Sequence, residues 1–301
     1  MNFYYFLAVL AVFFWSFNVI IADVLVNALT PWQISFFRWV IATILILPFT
    51  IKYIIHNRQE ILKNKSLILW SAFWGITISN TCVYYAGQTV RPITLSLIGA
   101  TGPLFLLFWA WLIKHQRLNR IQFMGLSCTL VGVLWVVLFA RSDKLGDIGW
   151  RIGDLWMLGT AVTFGFYSFL ASQKPKELHQ FSFLSLCLFW GTVFCVPMFV
   201  WDCFSNPLSF HTNLTLKVVL ILLFLGIFSS TLAYLCWNRA LEKSDIFKVG
   251  LTYYLMPVFS TLESWILLGE KISFLQLIGA FIIMAGIVLS NWKTKNVDSS
   301  A

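Results

Sequence analysis

The sequence predicts an all-α membrane protein of ten transmembrane helices, arranged as two inverted five-helix repeats. Three observations lead to this prediction: the apolar composition, the recurrence of apolar runs long enough to cross a bilayer, and a phrase that returns 154 residues later. Of the 301 residues, 59% are hydrophobic and 11% are charged, whereas soluble domains contain roughly 25% charged residues. A bilayer is therefore the expected solvent for most of the chain.

The apolar runs define the individual spans. A bilayer core about 30 Å thick requires about 20 apolar residues of helix at a rise of about 1.5 Å per residue. The first run lacks a basic segment before it and a small-residue cleavage site after it, so we assign it as a span rather than a secretory signal. Connectors are short, which leaves no room for a soluble domain. The ten predicted spans are 3–22, 31–50, 67–86, 92–113, 121–140, 153–172, 181–201, 216–236, 248–268 and 274–292.

Several classes of function are disfavoured by the sequence. The net charge of +9 is compatible with nucleic-acid binding, but no sufficiently large basic patch is present, and membrane proteins gather Lys and Arg on cytoplasmic connectors. The six Cys lie mostly in apolar spans without CxxC spacing, and the four His all fall in connectors, so we expect no metal site. Motifs of hydrolases and ATP-driven pumps are missing. We expect no enzyme activity and no cofactor, and the predicted partners are a small-molecule substrate and the bilayer.

The connector charges predict the orientation. If the first span starts inside, fourteen Lys and Arg lie on the inner side and six on the outer side, with Arg38 inside a span. Basic residues mark cytoplasmic connectors. The excess predicts that both termini are cytoplasmic in a multi-pass protein of the plasma membrane, which is the inner membrane of a bacterium. The inner residues are Lys52, Arg58, Lys63, Lys65, Lys114, Arg117, Arg120, Lys174, Lys176, Arg239, Lys243, Lys248, Lys293 and Lys295.

A repeated phrase indicates that the chain is duplicated. The stretch LGEKISFLQLIGAFIIMAGIVL at 268–289 resembles KHQRLNRIQFMGLSCTLVGVLW at 114–135. The same offset of 154 pairs Gln122 with Gln276, Gly125 with Gly279, Gly132 with Gly286, Trp111 with Trp265 and Pro103 with Pro257. Because each half has five spans, an odd number, the second half must enter the membrane from the opposite side. We predict a first repeat at 1–145, a second at 146–295 and a short cytoplasmic tail at 296–301.

A family resemblance follows from four segments. These are WSFN at 15–18, PWQISFFR at 31–38, Pro257 and the phrase at 268–289. They resemble the drug/metabolite transporter superfamily, specifically its ten-helix EamA-type members. The resemblance implies a five-plus-five inverted-repeat fold, a central cavity formed by both halves, and export or exchange of small metabolites. The chain departs from the family pattern at Phe17, in a motif that often reads Trp-Gly-Ser-Asn, and at KHQR, where the second repeat has LGEK.

Two charges lie clearly within predicted spans. Arg38 is seven residues from Pro31, the outer end of its span, and therefore lies about 10 Å below that end. Glu263 is five residues from the outer end of its own span, and therefore lies about 8 Å below that end. An ionisable group in a span is costly unless it is paired or hydrated. We expect a salt bridge or a substrate clamp formed by Arg38 and Glu263, with a purely structural pair or snorkelling to the interface as the alternative.

Uncharged polar and aromatic residues provide the candidates for a substrate cavity. Each half has an Asn and a Tyr one helical turn apart, in reversed order under the offset, so both face one side of a helix. They are expected to line a cavity or to bond neighbouring helices. Aromatic residues on or beside the same spans would form its walls. The candidates are Trp15, Asn18, Asn80, Tyr84, Trp109, Tyr234, Trp237, Asn238, Tyr253 and Tyr254.

Interrupted helices are a further expectation. SLIGATGP at 96–103 concentrates small residues before a proline, and GLTYYLMP at 250–257 occupies the matching place. Proline removes an intrahelical hydrogen bond, and broken helices build midplane sites in transporters. A plain kink without a role in gating is the alternative. The hinge candidates are Gly99, Gly102, Pro103, Gly250 and Pro257.

The function predicted from these features is secondary active transport by alternating access. The expected cargo is an amino acid or related zwitterion that is moved outward. Alternatives are import or exchange of a nucleotide-like metabolite such as S-adenosylmethionine, and extrusion of hydrophobic cations. A non-transporting membrane scaffold or sensor is the alternative from a different class.

Overall fold

The computed structural model describes residues 3–26, 28–115, 120–139, 151–205, 214–244, 249–250 and 252–290. Within these ranges the chain is helical and contains no strand, and every predicted span overlaps a helix. The predicted boundary between residues 145 and 146 and the tail 296–301 lie outside the described residues. The helices are α1 Phe3–Leu25, α2 Pro31–His56, α3 Arg58–Lys63, α4 Lys65–Gly87, α5 Pro92–Lys114, α6 Arg120–Phe139, α7 Ile152–Ser172, α8 Gln180–Ser205, α9 Leu216–Lys243, α10 Met256–Leu268 and α11 Phe274–Ser290.

Seven of these helices are long and apolar enough to cross a membrane, namely α1, α2, α4, α5, α7, α8 and α9. Helices α6 and α11 contain shorter apolar cores, Phe123–Val136 and Phe274–Gly286. Helix α3 is short, follows α2 after a single residue and was not predicted. The protein is therefore a multi-pass membrane protein that is helical in the part of the chain described above.

The repeated phrase contains a helix start. Ser273 Oγ accepts from the Gln276 backbone N–H at 3.1 Å, and the Ser273 N–H donates to Gln276 Oε1 at 2.8 Å. This reciprocal arrangement is a capping box, which satisfies two N–H groups that the helix itself cannot. Thr30 and Gln33 form the same box at the start of α2. Gln276 is therefore fixed at this position partly by its role in beginning α11.

Helices α6 and α11 pack closely through glycine. A Cβ added at Gly286 would lie 2.5 Å from Thr129 N, and one at Gly132 would lie 2.8 Å from Ile283 N. The two contacts correspond to each other under the offset of 154, because Thr129 is 154 residues before Ile283 and Gly132 is 154 residues before Gly286. Cys128 Sγ also lies 3.6 Å from Ile282 O, again 154 residues apart. Small residues permit such close approach of membrane helices, which gives the glycines of the phrase a packing role.

The two halves share a rare backbone feature. Helix α4 contains a π-helical segment at Ala72–Ile78, and α9 contains one at Leu225–Leu232. Adding 154 to 72 and 78 gives 226 and 232, so the two segments occupy matching positions. π-Helical turns are rare and are often found at functional sites.

Both candidate hinges begin new helical segments. Helix α5 consists of Pro92–Gly99 and Gly102–Lys114 with a turn between them, and Pro103 is in the first turn of the second segment. At the matching position, Pro257 is in the first turn of α10, which follows the 3₁₀ turn Tyr253–Leu255. Gly102 and Gly250 are not crowded, since an added Cβ would meet nothing closer than 3.7 Å and 3.5 Å. The interruption is present, and a gating role remains a prediction.

The departure at KHQR has a structural counterpart. His115 has a φ of 53° and Gly269 a φ of 67°; these residues are 154 apart, and each ends a helix in the left-handed conformation. This conformation costs a residue with a Cβ about 1 kcal/mol or more of backbone strain, whereas glycine adopts it without that strain.

We expect His115→Gly to raise the apparent midpoint of thermal unfolding in detergent by about 2 °C, since about 1 kcal/mol of backbone strain is removed. Gly269→Ala is the matched control, because nothing lies within 4 Å of the added Cβ. It should lower the midpoint through backbone strain alone. A midpoint that falls in His115→Gly would contradict this account.

Candidate functional site

A buried arginine organises the centre of the protein. Arg38 of α2 is fully buried. Its Nη1 donates toward Asn18 Oδ1 at 2.9 Å, Asn80 Oδ1 at 3.1 Å and Tyr84 OH at 2.5 Å. Its Nε donates to Ser230 Oγ at 2.8 Å and Nη2 to Ser229 O at 3.3 Å. The guanidinium therefore ties α1, α2 and α4 to the π-helical segment of α9.

This network continues between the two matching polar pairs. Asn80 Nδ2 donates to Tyr234 OH at 2.9 Å, and these two residues are 154 apart. Both groups also donate to Gly75 O, in the π-helical segment of α4, at 3.0 Å. Asn238 instead bonds the Tyr167 hydroxyl, with its Nδ2 2.7 Å away. The Asn and Tyr predicted as a constellation are thus brought together, with Tyr167 as an additional member.

A small cavity lies beside this network. Its volume is about 30 Å³, which is room for roughly one to three water molecules. Its walls come equally from the two halves of the chain, with six residues before position 145 and six after it. They are Trp15, Asn18, Val19, Ser79, Asn80 and Val83, and Met157, Thr160, Phe164, Tyr234, Tyr253 and Met256.

Aromatic rings form one wall of the cavity around Trp15. Its ring centroid is 5.1 Å from Phe164, 5.3 Å from Tyr234 and 6.0 Å from Tyr253. Trp237 stands behind this wall, 5.3 Å from Trp15. The Trp15 indole donates to Ser229 O at 3.0 Å, which couples the wall to the arginine network.

The sequence-predicted candidates divide into two groups. Trp15, Asn18, Asn80, Tyr234 and Tyr253 border the cavity. The other five candidates do not border the cavity. Tyr84 contacts Arg38, and Tyr254 is buried away from the lining. Trp237 and Asn238 lie on the far side of the aromatic wall from the cavity. Trp109 donates to Val162 O where α5 contacts α7. Trp109 therefore lies outside this lining, with its indole joining two helices, and a substrate-binding role for it stays a prediction.

The expected ion pair between Arg38 and Glu263 is not formed. Arg38 is satisfied by neutral oxygens and by the rings of Trp39 and Tyr84, whose centroids lie 4.5 and 5.8 Å from its guanidinium carbon. Glu263 instead has Ser16 Oγ 2.8 Å from its Oε1, and its Oε2 has no hydrogen-bond partner within the described part of the chain. Similar depth along the helices did not bring the two charges together, because Arg38 is held by oxygens of α1, α4 and α9, whereas Glu263 faces Ser16 of α1.

Sequence reasoning missed several residues of the site. Met157, Thr160, Phe164 and Tyr167 all come from α7, which contained no candidate. The spacing of Thr160, Phe164 and Tyr167 by three and four residues places them on one helix face. This spacing is a sequence signal for a shared helix face. The residues 154 positions earlier in the first repeat are not polar, so the comparison of the two halves did not single out this face.

A larger groove lies elsewhere, between α2, α8 and α9. Its volume is about 550 Å³, and its lining is mostly aliphatic and aromatic, including Phe49, Phe181 and Leu235. Phe49 is 76% exposed. In a bilayer such a surface faces lipid chains, so we do not assign the groove as the substrate site.

Comparisons with known proteins support the fold and identify a family. The EamA-like transporter family matches residues 2–138 and 151–292. A protein of Archaeoglobus fulgidus named as an uncharacterized transporter is 24% identical over 292 residues, covering 95% of this chain and 96% of that protein. One of Clostridium kluyveri with the same name is 22% identical, covering 90% and 87%.

Two further similarities are a relative matched over a shorter stretch and a solved structure. A probable terminal-alkyne amino-acid exporter of Streptantibioticus cattleyicolor is 23% identical over 203 residues, covering 67% of this chain and 64% of that protein. A crystal structure matches 96% of both chains with a TM-score of 0.64 at 16% identity, which supports the fold alone. Because the family match extends over nearly the whole chain, the protein belongs to the EamA-like transporter family.

Proposed function

We propose that the protein is a secondary active transporter that works by alternating access and moves an amino acid or a related zwitterion outward. The observation that carries this proposal is the cavity at the centre, lined equally by both halves and bordered by Asn18 and Asn80. Both amides accept from Arg38. Transporters with repeated halves bind substrate near the midplane, between the repeats.

The chemistry of the cavity suits a zwitterion. The guanidinium behind Asn18 and Asn80 has no acidic partner among the described residues, so its positive charge favours a carboxylate at this wall. The rings of Trp15 and Phe164 offer a face for an ammonium group or an apolar side chain. None of the residues that line the cavity is acidic, which disfavours a purely cationic cargo.

The architecture proposed is ten helices in two inverted repeats, 1–145 and 146–295, with both termini cytoplasmic in the plasma membrane. Support comes from the matching π-helical segments, the matching left-handed helix ends and the contacts between residues 154 apart. A contact between matching residues, such as Asn80 with Tyr234, is expected on the axis that relates two repeats.

Transport would require the halves to move apart. Small-molecule sites usually have volumes of roughly 300 Å³ or more, whereas the cavity has about 30 Å³. The interrupted α5 and the 3₁₀ turn before α10 are the places where movement would cost the fewest helical hydrogen bonds.

Counterflow in proteoliposomes tests the proposal. Vesicles are preloaded with a pool of amino acids, nucleosides and S-adenosylmethionine, and uptake of each labelled tracer is followed, with protein-free vesicles as the blank. We expect accumulation of an amino-acid tracer. Accumulation of S-adenosylmethionine alone would mean that the cargo is a nucleotide-like metabolite and not an amino acid. If correctly inserted protein accumulates no tracer, cation extrusion or a scaffold role would be favoured.

A matched pair of tryptophan variants tests the position of the cavity. Trp15→Phe should raise the half-saturating concentration of the accumulated tracer at least about fivefold, since the larger aromatic face and its indole donor are lost. Trp109→Phe should change it less than about twofold, because Trp109 does not border the cavity. Equal effects of the two substitutions would place the substrate elsewhere.

A further inference from the structure

Glu263 is a buried carboxyl group that the arginine network and the cavity do not use. It is 7% exposed, lies on α10 and faces α1. Its Oε2 lacks a hydrogen-bond partner, and no Lys, Arg or His of the described chain lies within ion-pair distance. Burying an ionised carboxylate without a cation or hydrogen bonds is strongly unfavourable, and such groups neutralise instead.

The contact with Ser16 is compatible with a proton on Glu263. Ser16 Oγ lies 2.6 Å from Phe13 O and 2.8 Å from Glu263 Oε1. A serine hydroxyl has a single proton, and a backbone carbonyl can only accept. If the hydroxyl donates to the nearer oxygen, Phe13 O, the contact with Glu263 becomes a hydrogen bond only when the carboxyl group donates.

The surroundings hold few other titratable groups. Helix α10 packs mainly against α1, the Pro92–Gly99 segment of α5 and the Tyr253–Leu255 turn. The Pro92–Gly99 segment has no ionisable side chain, and the turn contributes Tyr253 and Tyr254. On α1 the ionisable groups are Tyr4, Tyr5 and Asp23, of which Asp23 is two turns from Ser16. Arg91 interacts with Asp23 and with Glu270, beyond the end of α10.

The Ser16–Glu263 contact is mechanically linked to the cavity. Trp15 and Asn18, on either side of Ser16, line the cavity. Met256 of α10 also lines the cavity, and it precedes Glu263 by seven residues, which is about two helical turns. Any movement that separates α1 from α10 to admit a substrate would therefore open this contact and admit water to the carboxyl group.

We propose that Glu263 is a proton-binding site that couples substrate movement to a proton gradient. This inference rests on the proposed function. With α1 and α10 together, the carboxyl group holds its proton. When they separate toward one side of the membrane, the O–H bond breaks and the proton passes to water on that side. When the cavity has opened to the other side instead, the carboxylate takes up a proton from water there before the contact closes again. No other reactant is needed, because the gradient supplies the protons.

Infrared difference spectroscopy tests the proton itself, without any substrate. The reconstituted protein is titrated from pH 5 to pH 9, and the carbonyl stretch of protonated carboxylic acid is followed. We expect a band that persists at neutral pH, disappears in Glu263→Gln and remains in Glu60→Gln, a control in the short helix α3, where Glu60 pairs with Lys63. A band that is the same in all three proteins would overturn the assignment.

Transport assays test the coupling. The readout is the ratio of accumulation driven by a pH gradient to counterflow of the same tracer, which corrects for any loss of folded protein. We expect the ratio to depend on the gradient in the parent and in Glu60→Gln, and to fall to its zero-gradient value in Glu263→Gln. If tracer accumulation by the parent protein does not change with the pH gradient, the proposed coupling is overturned, whereas the proposed function is not. Absence of counterflow for every tracer would overturn both, even if the infrared band shows the proton.

Discussion

Replacing Arg38 with Ala is expected to lower both stability and transport more than any other single change at the site. The side chain donates to oxygens of Asn18, Asn80, Ser230 and Ser229 in the buried centre. Its removal takes one donor from each of these acceptors and opens a cavity, at a cost of roughly 3 kcal/mol or more. Thermal unfolding in detergent should shift downward by several degrees, and counterflow should fall more than tenfold.

Two further variants separate the charge from the geometry of Arg38. Arg38→Lys keeps the positive charge but loses the planar fork that reaches several acceptors at once, so it should recover stability only in part. Arg239→Ala serves as the control, because Arg239 forms an exposed pair with Glu242 and such pairs contribute at most about 1 kcal/mol. Arg38→Ala protein that unfolds at the parent's temperature would refute the central role of the network.

Gly75→Ala is expected to produce the second-largest loss. The added Cβ would lie 2.2 Å from Tyr167 Cγ and 2.6 Å from Tyr167 Cβ. These atoms are at the base of a fully buried side chain, so the ring cannot swing away without breaking its bond with Asn238. Overpacking of this kind costs about 1–3 kcal/mol. It would also displace Gly75 O from Asn80 and Tyr234, so counterflow should fall about tenfold.

Gly159→Ala provides the matched comparison for Gly75→Ala. It is also a glycine within a membrane helix, but an added Cβ would meet only Cys82 Sγ, at 3.8 Å. The midpoint of thermal unfolding and the counterflow rate should stay close to those of the parent. Similar losses in both variants would mean that helix flexibility, rather than the Tyr167 contact, is what glycine provides.

The sequence predicted features that depend on local physics. A run of apolar residues long enough to cross the bilayer forms a helix wherever it occurs, because backbone groups in lipid must bond within the segment. The positions of the helices and of the interruptions at Pro103 and Pro257 followed from this constraint and from proline chemistry. The offset of 154 also paired Asn80 with Tyr234, and these two residues contact each other in the structure.

Which polar groups meet was decided only by the tertiary structure. Depth along the membrane suggested Arg38 and Glu263 as partners, but depth does not specify which faces of two helices are opposed. Helix packing instead placed Arg38 among neutral oxygens of three other helices, α1, α4 and α9, and left Glu263 against Ser16. The sequence by itself thus determined a membrane-spanning helical chain with a duplicated pattern. The site required the packing, because hydrogen bonds between helices depend on rotations about helix axes that no local pattern records.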